Sequence, residues 1–538
     1  MGQAHLELQD FITRHVQQID SLSTRLNTAY YAAQVSGKKE DFQNIEQLRL
    51  QLNELYMNKA DFEFLQKTKE SAAVNDARQQ RQLEKLYNAF IISQMDSDLL
   101  KKSISMRTSL MERYNNYRGS IDGKPAAMTE IYRIMTQEHD VELRQKAWRA
   151  AKEVGPVIIE DFLKWVKMQN QLARQIGYDN FHTYAINIHE QSVDDLDAIF
   201  NELACETATP FAELKGELDA ILAATFKIEP NDLRPWHYHD PFFQRTPLVY
   251  EIDLDPYYAD NDVARLSINY FAGVGLRVDD IMARSDLYEK PGKFPHAFAI
   301  DIDRHGDVRI LQNIANNERW METTLHELGH AVYFKYHDPN EPYLLREPAH
   351  MFTTEAAAMF FGRLSRNAVW MQTMLGLSDA QRSRLETVTD KYLRFQQILF
   401  ARWAMVMYYF EKSVYADPDQ DLNTLWWDLV ETYQFVNRPE GNPDAGWLSK
   451  LHFITAPCYY HNYMLGELLV SQWYHYIRRH VLQMADATQA SYAGDTRIGD
   501  YFKDHVFGPG ARYHWNDMIR RSTGETLNIS YFLKQFVT

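Results

Sequence analysis

His326-Glu327-Leu328-Gly329-His330 is the stretch from which the rest of the chain can be read. Two histidines four residues apart lie one helical turn apart on the same helix face, so both imidazoles can reach one Zn²⁺. Glu327, directly after the first of them, then lies beside the metal rather than on it, where it can take a proton from an activated water. Two imidazoles and a neighbouring carboxylate are the parts that metal-assisted hydrolysis of a peptide needs. The same five-residue pattern also arises by chance on ordinary helices, where its histidines are surface groups or satisfied core groups. A third ligand is therefore the next thing to look for.

A third histidine six residues beyond the second would fall at 336, which is Tyr336, and the glycine that such a site requires is replaced by Tyr333. The three-histidine arrangement is excluded. Downstream candidates are His337, Glu341, Glu347, His350 and Glu355. Glu355 is followed by Ala356-Ala357-Ala358, small side chains that let two helices approach closely enough for a short carboxylate to reach a metal. Thr353 and Thr354 are read as the start of its helix, and a helix-start carboxylate favoured by the dipole is the plain alternative for Glu355. Position and packing favour the ligand.

Outward from the motif, the chain has 538 residues, 45 % of them apolar, enough for a large core and too many for one lobe, so two or more subdomains are expected. A net charge of −16 argues against a surface that tracks phosphates, and nucleic acid is not expected as a partner. The two cysteines, Cys205 and Cys458, exclude a disulfide framework and a cysteine zinc site. Cys458 is read as a small buried apolar group. No apolar run reaches the length of about 18 residues that spans a bilayer. The first residues enter an amphipathic helix with no signal-peptide core, so the chain as written is expected to be cytoplasmic, or periplasmic or secreted if a leader has been trimmed.

Helical periodicity dominates. Leu8, Phe11, Ile12, Ile19, Leu22 and Leu26 recur at helical spacing in a segment that ends near Gly37, and further patterns run over 42–57, 76–95, 97–117, 141–153 and 158–176. Ser192-Val-Asp-Asp195 reads as a capping box. The Gly119–Pro125 stretch reads as a break. Arg234 to Pro241 reads as an aromatic loop, in which His237 and His239 find no third ligand. Extended runs at 296–302 and 308–313 flank the turn Asp303-Arg-His-Gly306 and predict a small hairpin leading into the motif helix. The fold class is mostly all-α with one small sheet near the candidate zinc site.

A second cluster lies at Lys450-Leu-His452 and Tyr459-Tyr460-His-Asn462-Tyr463. Tyr or His can stabilise the oxyanion of peptide hydrolysis, and Tyr460 and Tyr463 share a face if that stretch is helical. Aromatic clusters after a proline are also ordinary core.

With these residues in hand, the chain resembles the angiotensin-converting-enzyme family of zinc peptidyl-dipeptidases, and more distantly thimet oligopeptidase and oligoendopeptidase F. The resemblance rests on His326-Glu-Leu-Gly-His330, Leu345-Arg-Glu347 with Glu355-Ala356, Asp444-Ala-Gly446 ahead of Lys450-x-His452, His296-Ala-Phe-Ala299, and Arg309-Ile-x-Gln312. Weaker likeness covers Gln145-Lys-Ala-Trp148 and 161–177. It implies an ellipsoidal, two-subdomain gluzincin peptidase with a deep central channel. The whole chain would be one metallopeptidase domain, with a helical lid at 1–118 and a catalytic region of interleaved subdomains at 119–538.

The resemblance also implies roles. One Zn²⁺ per chain would sit on His326, His330 and Glu355, with Glu327 as general base and then acid. His452 and Tyr463 would stabilise the oxyanion, Lys450 and Tyr460 would hold the substrate's C-terminal carboxylate, and His296, Ala297 and Ala299 would pair with the substrate backbone. Short peptides would lose C-terminal dipeptides. Internal cleavage by an oligoendopeptidase is the alternative, and an inactive helical peptide-binding protein is the rival from another class.

Departures from the family pattern are specific. The tyrosine pair lies one residue further from His452, so Tyr459 could stand in for Tyr460. Asn462 replaces a chloride-linked arginine, so chloride activation of that kind is not expected. Met359 replaces an aspartate that orients a zinc-bound histidine, which leaves the acceptor for that imidazole open.

Overall fold

A computed structural model describes residues 3–247, 249, 253–441, 445–484 and 490–537. Helices account for most of it, and the chain divides into two compact units, each assembled from separated segments. One unit comprises Met1–Gln94, Asp253–Thr387 and Leu465–Asn528; the other comprises Met95–Ile252, Val388–Met464 and Ile529–Thr538. No helix among the described residues is long and apolar enough to cross a membrane.

In the first unit the N-terminal periodicity folds as read. Helix Gln3–Ser36 buries Leu8, Phe11, Ile12 and Ile19 against Leu65, Leu83, Leu86 and Phe90 of the helices Lys59–Glu70 and Ala77–Ile91. Its next turns bury Leu22, Ala29 and Ala33 against Ile45 and Leu48 of helix Lys39–Tyr56. Each fully buried Leu, Ile or Phe among these contributes about 1.5–3 kcal/mol relative to an exposed one. The same helix grips the predicted hairpin, strands Phe298–Asp301 and Val308–Leu311. Asn27 donates to the carbonyls of Asp301 and Ile302 at 3.1 and 3.2 Å, and Tyr31 donates to that of Ile310 at 3.0 Å. Helix Glu318–Lys335 follows the hairpin, with Asn317 as its N-cap, and carries the His-Glu-Leu-Gly-His motif.

The second helix of the site, Met351–Gly362, does not start where the sequence suggested. Its cap is His350, whose ring accepts from the Phe352 amide, while Thr353 returns its hydroxyl to His350. Thr353 and Thr354 are therefore already inside the first turn. An imidazole with a free ring nitrogen satisfies an orphan amide as an Asx oxygen does, and that frees Thr354 for another partner.

In the second unit, helices Ser97–Asn116, Val141–Lys152, Val154–Gln175 and Val193–Phe226 match the predicted patterns, and Ser192 caps the last of them through the Asp195 amide. Helix Val154–Gln175 begins a turn earlier than its apolar period suggested. Pro156 is tolerated there because first-turn amides have no intrahelical acceptor. The Gly119–Pro125 break is a second hairpin, Gly119–Ile121 paired with Lys124–Ala126, so the described residues hold two small sheets rather than one. Asp122 and Gly123 both have positive φ at its turn, the pairing that a two-residue turn of this hand demands. The aromatic loop turns on a short 3₁₀ segment, Pro235–His237, which Arg144 ties down through the carbonyls of Trp236 and His237. His237 and His239 are held near 4 by burial and join no metal-ligating group among the described residues. Both cysteines are free, and Cys458 is buried.

Candidate active site

Within the first unit, the helices Glu318–Lys335 and Met351–Gly362 pack at very short range. A Cβ at Gly329 would lie 2.6 Å from the Ala358 Cα and 2.8 Å from the Ala357 carbonyl oxygen. Glycine between the motif's two histidines is thus a packing requirement. It brings three donors together: His326 Nε2 is 3.8 Å and His330 Nε2 3.9 Å from Glu355 Oε2. All three ligand atoms lie within 4.8 Å of one another, and they are the one such group among the described residues. Four-coordinate zinc with ligands at about 2.1 Å separates them by roughly 3.4 Å, so small side-chain rotations would close the set.

The residues fit a divalent cation electrically as well. Burial holds His326 near 4, and burial together with the neighbouring His326 holds His330 well below its ordinary value. Both rings are neutral at physiological pH, as metal ligands must be. His330 Nδ1 lies 2.8 Å from Thr354 Oγ1. That contact supplies an acceptor where Met359 cannot, and it leaves Nε2 of His330 with its lone pair toward Glu355. Thr354→Val should keep the fold but weaken zinc binding about 10- to 100-fold, measured by competition with a chelator.

The other candidate ligands stand outside this group. Glu347 is clamped by Lys85 at 2.6 Å and Arg304 at 2.7 Å; burial alone would raise it, but these cations bring it to about 2. Glu341 pairs with Arg78 and Arg512. His337 is buried beside the Tyr333 ring and is held near 3 by burial, and His350 caps its helix.

Glu327 is buried one residue from His326. Burial, then repulsion from Glu355 and Glu322, pushes it up to about 8, opposed by a hydrogen bond from the Ala299 amide. A bound dication would draw it down again. A carboxyl poised near neutrality can both take and return a proton. The hairpin strand thus points an edge amide at the carboxylate that would do the chemistry. His296 is exposed and Ala297 half-buried just before the strand, the His296 ring 5.3 Å from Phe294, and Ala299 is half-buried within it.

The steric role of Gly329 is separable from chemistry. Gly329→Ala gains up to about 1 kcal/mol of helix propensity. The overlap with Ala358 forces two packed helices apart at about 1–3 kcal/mol. The expected net is a lower denaturation midpoint, read by thermal or denaturant unfolding.

The second unit gathers the C-terminal cluster. Lys450 Nζ donates to Gln244 Oε1 at 2.5 Å and sits 5.1 Å from the Tyr460 ring centroid and 5.3 Å from that of Trp403. Tyr460 accepts from Trp403 Nε1 at 2.8 Å. Tyr460, not Tyr459, therefore stands beside Lys450; the Tyr459 ring lies 5.2 Å from Tyr463 instead. The rings of His452 and Tyr463 lie 5.1 and 5.3 Å from Tyr460. Burial lowers His452 to about 4, with the Lys450 charge adding to it. Asn462 is buried and accepts from Gln191, which also bonds His461. Asp444 lies outside the described residues. Nothing in the sequence marks Gln244 or Trp403 for this site; Thr354 left a signal through its place next to Glu355.

A helical fold with a His-His-Glu donor set and a buried carboxylate beside it defines a zinc metallopeptidase. The family model of angiotensin-converting enzyme, peptidase M2, matches residues 3–209 and 254–537. The chain belongs to the angiotensin-converting enzyme family. No individual curated protein is significantly similar to it.

Proposed function

We propose that the chain is a peptidyl-dipeptidase that releases C-terminal dipeptides from short peptides. The observation that carries this reading is Lys450: a buried ammonium, bonded to Gln244 and enclosed by Tyr460 and Trp403, which suits capture of a free α-carboxylate. A zinc ion on His326, His330 and Glu355 would supply Lewis acidity toward the scissile carbonyl and the attacking water. Glu327 takes the water's proton and delivers it to the leaving amine. His452 and Tyr463 donate to the developing oxyanion. Tyr460 supports Lys450 at the terminal carboxylate, and His296, Ala297 and Ala299 align the peptide backbone.

The test is mass spectrometry of products from matched peptides that end in a free acid or an amide. Free acids should shorten in steps of two residues from the C-terminus, and amides should be cut far more slowly. Equal cleavage of both, at internal bonds, would replace this reading with an oligoendopeptidase. Bound zinc without cleavage of any peptide would leave a binding protein.

A further inference from the structure

Lys450 does not hold its place by its own contacts alone. Its acceptor, the Gln244 amide, has one oxygen and one NH₂, and which end faces the lysine depends on what holds the other end. Gln244 Nε2 donates to Asp240 Oδ2 at 3.1 Å. Asp240 Oδ1 accepts the Phe242 amide at 2.8 Å and the Gln244 amide at 3.5 Å, so a single buried carboxylate braces the whole turn from 240 to 244. That turn is anchored in its own unit by Arg144 on the carbonyls of Trp236 and His237 and by Trp148 on that of Pro241. With NH₂ taken by a carboxylate, only the amide oxygen is left for the ammonium.

We propose that Asp240 is a positioning residue for C-terminal carboxylate recognition: it fixes the Gln244 amide with its oxygen toward Lys450 and so sets where the ammonium meets the peptide end. The inference rests on the peptidyl-dipeptidase reading. The charges around Lys450 agree with it. Arg245 adds positive charge, Lys152, whose Nζ lies 3.1 Å from the Phe242 ring centroid, is held well below its ordinary value by burial, and His452 is kept neutral by burial. Asp240 is the acidic group among them that favours the charged lysine.

Asp240→Asn keeps the shape but sets an NH₂ against the Gln244 NH₂, and the glutamine amide is expected to turn. KM for free-acid peptides should rise about 10- to 100-fold with kcat little changed, while values for the amidated peptides stay as they were. The alkaline limb of kcat/KM for free acids should move to lower pH. Because the effect runs through Gln244, Asp240→Asn should add nothing further in a Gln244→Leu background. A purely structural role would instead lower kcat/KM for both substrates alike, or make the two substitutions additive. Either result overturns the inference, as does an Asp240→Asn variant with unchanged free-acid KM. If the wild type itself treats acid and amide alike, the peptidyl-dipeptidase reading fails and this inference falls with it, a result distinct from the others.

Discussion

Glu327→Gln is expected to retain about one zinc per chain and to lose peptide hydrolysis by about 10³-fold in kcat. The atoms placed to hold the metal belong to His326, His330 and Glu355, and the amide is isosteric with the carboxyl, so the metal group should persist. The amide oxygen can still accept from Ala299, which keeps the side chain in place. What is lost is the group proposed to take a proton and return it. The decisive pair of measurements is metal content by mass spectrometry and kcat on one free-acid peptide. Loss of zinc together with activity would recast Glu327 as a support for the metal. Zinc retained with near-normal kcat would remove it from the chemistry altogether.

The second large effect is expected at Lys450. Truncating one partner of a buried, hydrogen-bonded charge pair costs about 2–5 kcal/mol, so Lys450→Met should lower kcat/KM for free-acid peptides roughly 30-fold to several thousand-fold. Amidated peptides, already slow, should barely change. Burial lowers Lys450 to about 8, with Asp240 opposing and Arg245 adding to the shift. On the peptidyl-dipeptidase reading the ammonium recognises the carboxylate, so kcat/KM for free acids should fall about tenfold per pH unit above this value. That limb should vanish in Lys450→Met.

The same lysine costs stability. Its folded value lies below its unfolded one, so the unfolded chain binds more protons between about 8 and 10.5. Its contribution to stability therefore rises as pH increases through that window. At neutral pH Lys450→Met should be the more stable protein, by up to about 3 kcal/mol. A less active but more stable variant is the mark of a group kept for binding rather than for folding.

Much of the fold was legible because it repeats locally. The 3.6-residue spacing of Leu8, Phe11, Ile12 and Ile19 marks one buried face, and those residues are buried where the period puts them. The Asp303–Gly306 turn and its flanking runs likewise formed the expected hairpin. The second hairpin carried its own signal in Asp122-Gly123, which reads equally well as a break when the flanking strands are only three residues long. The start of the Glu355 helix is hidden in the sequence because His350 caps it through a ring nitrogen, a role more often filled by threonines such as those that follow.

From the sequence alone came the motif, the exclusion of a third histidine by Tyr333 and Tyr336, and Glu355 as the best-placed carboxylate. Helix geometry is a local law, so residues at 326, 327 and 330 carry their relation wherever the helix lies. Only the tertiary structure removed Glu341 and Glu347 from contention, because the arginines and lysine that neutralise them come from distant parts of the chain. It also supplied Thr354 for His330 and set Asp240 and Gln244 behind Lys450. Those partners are chosen by which surfaces pack together. Periodicity reports that a face is buried, but not what it is buried against.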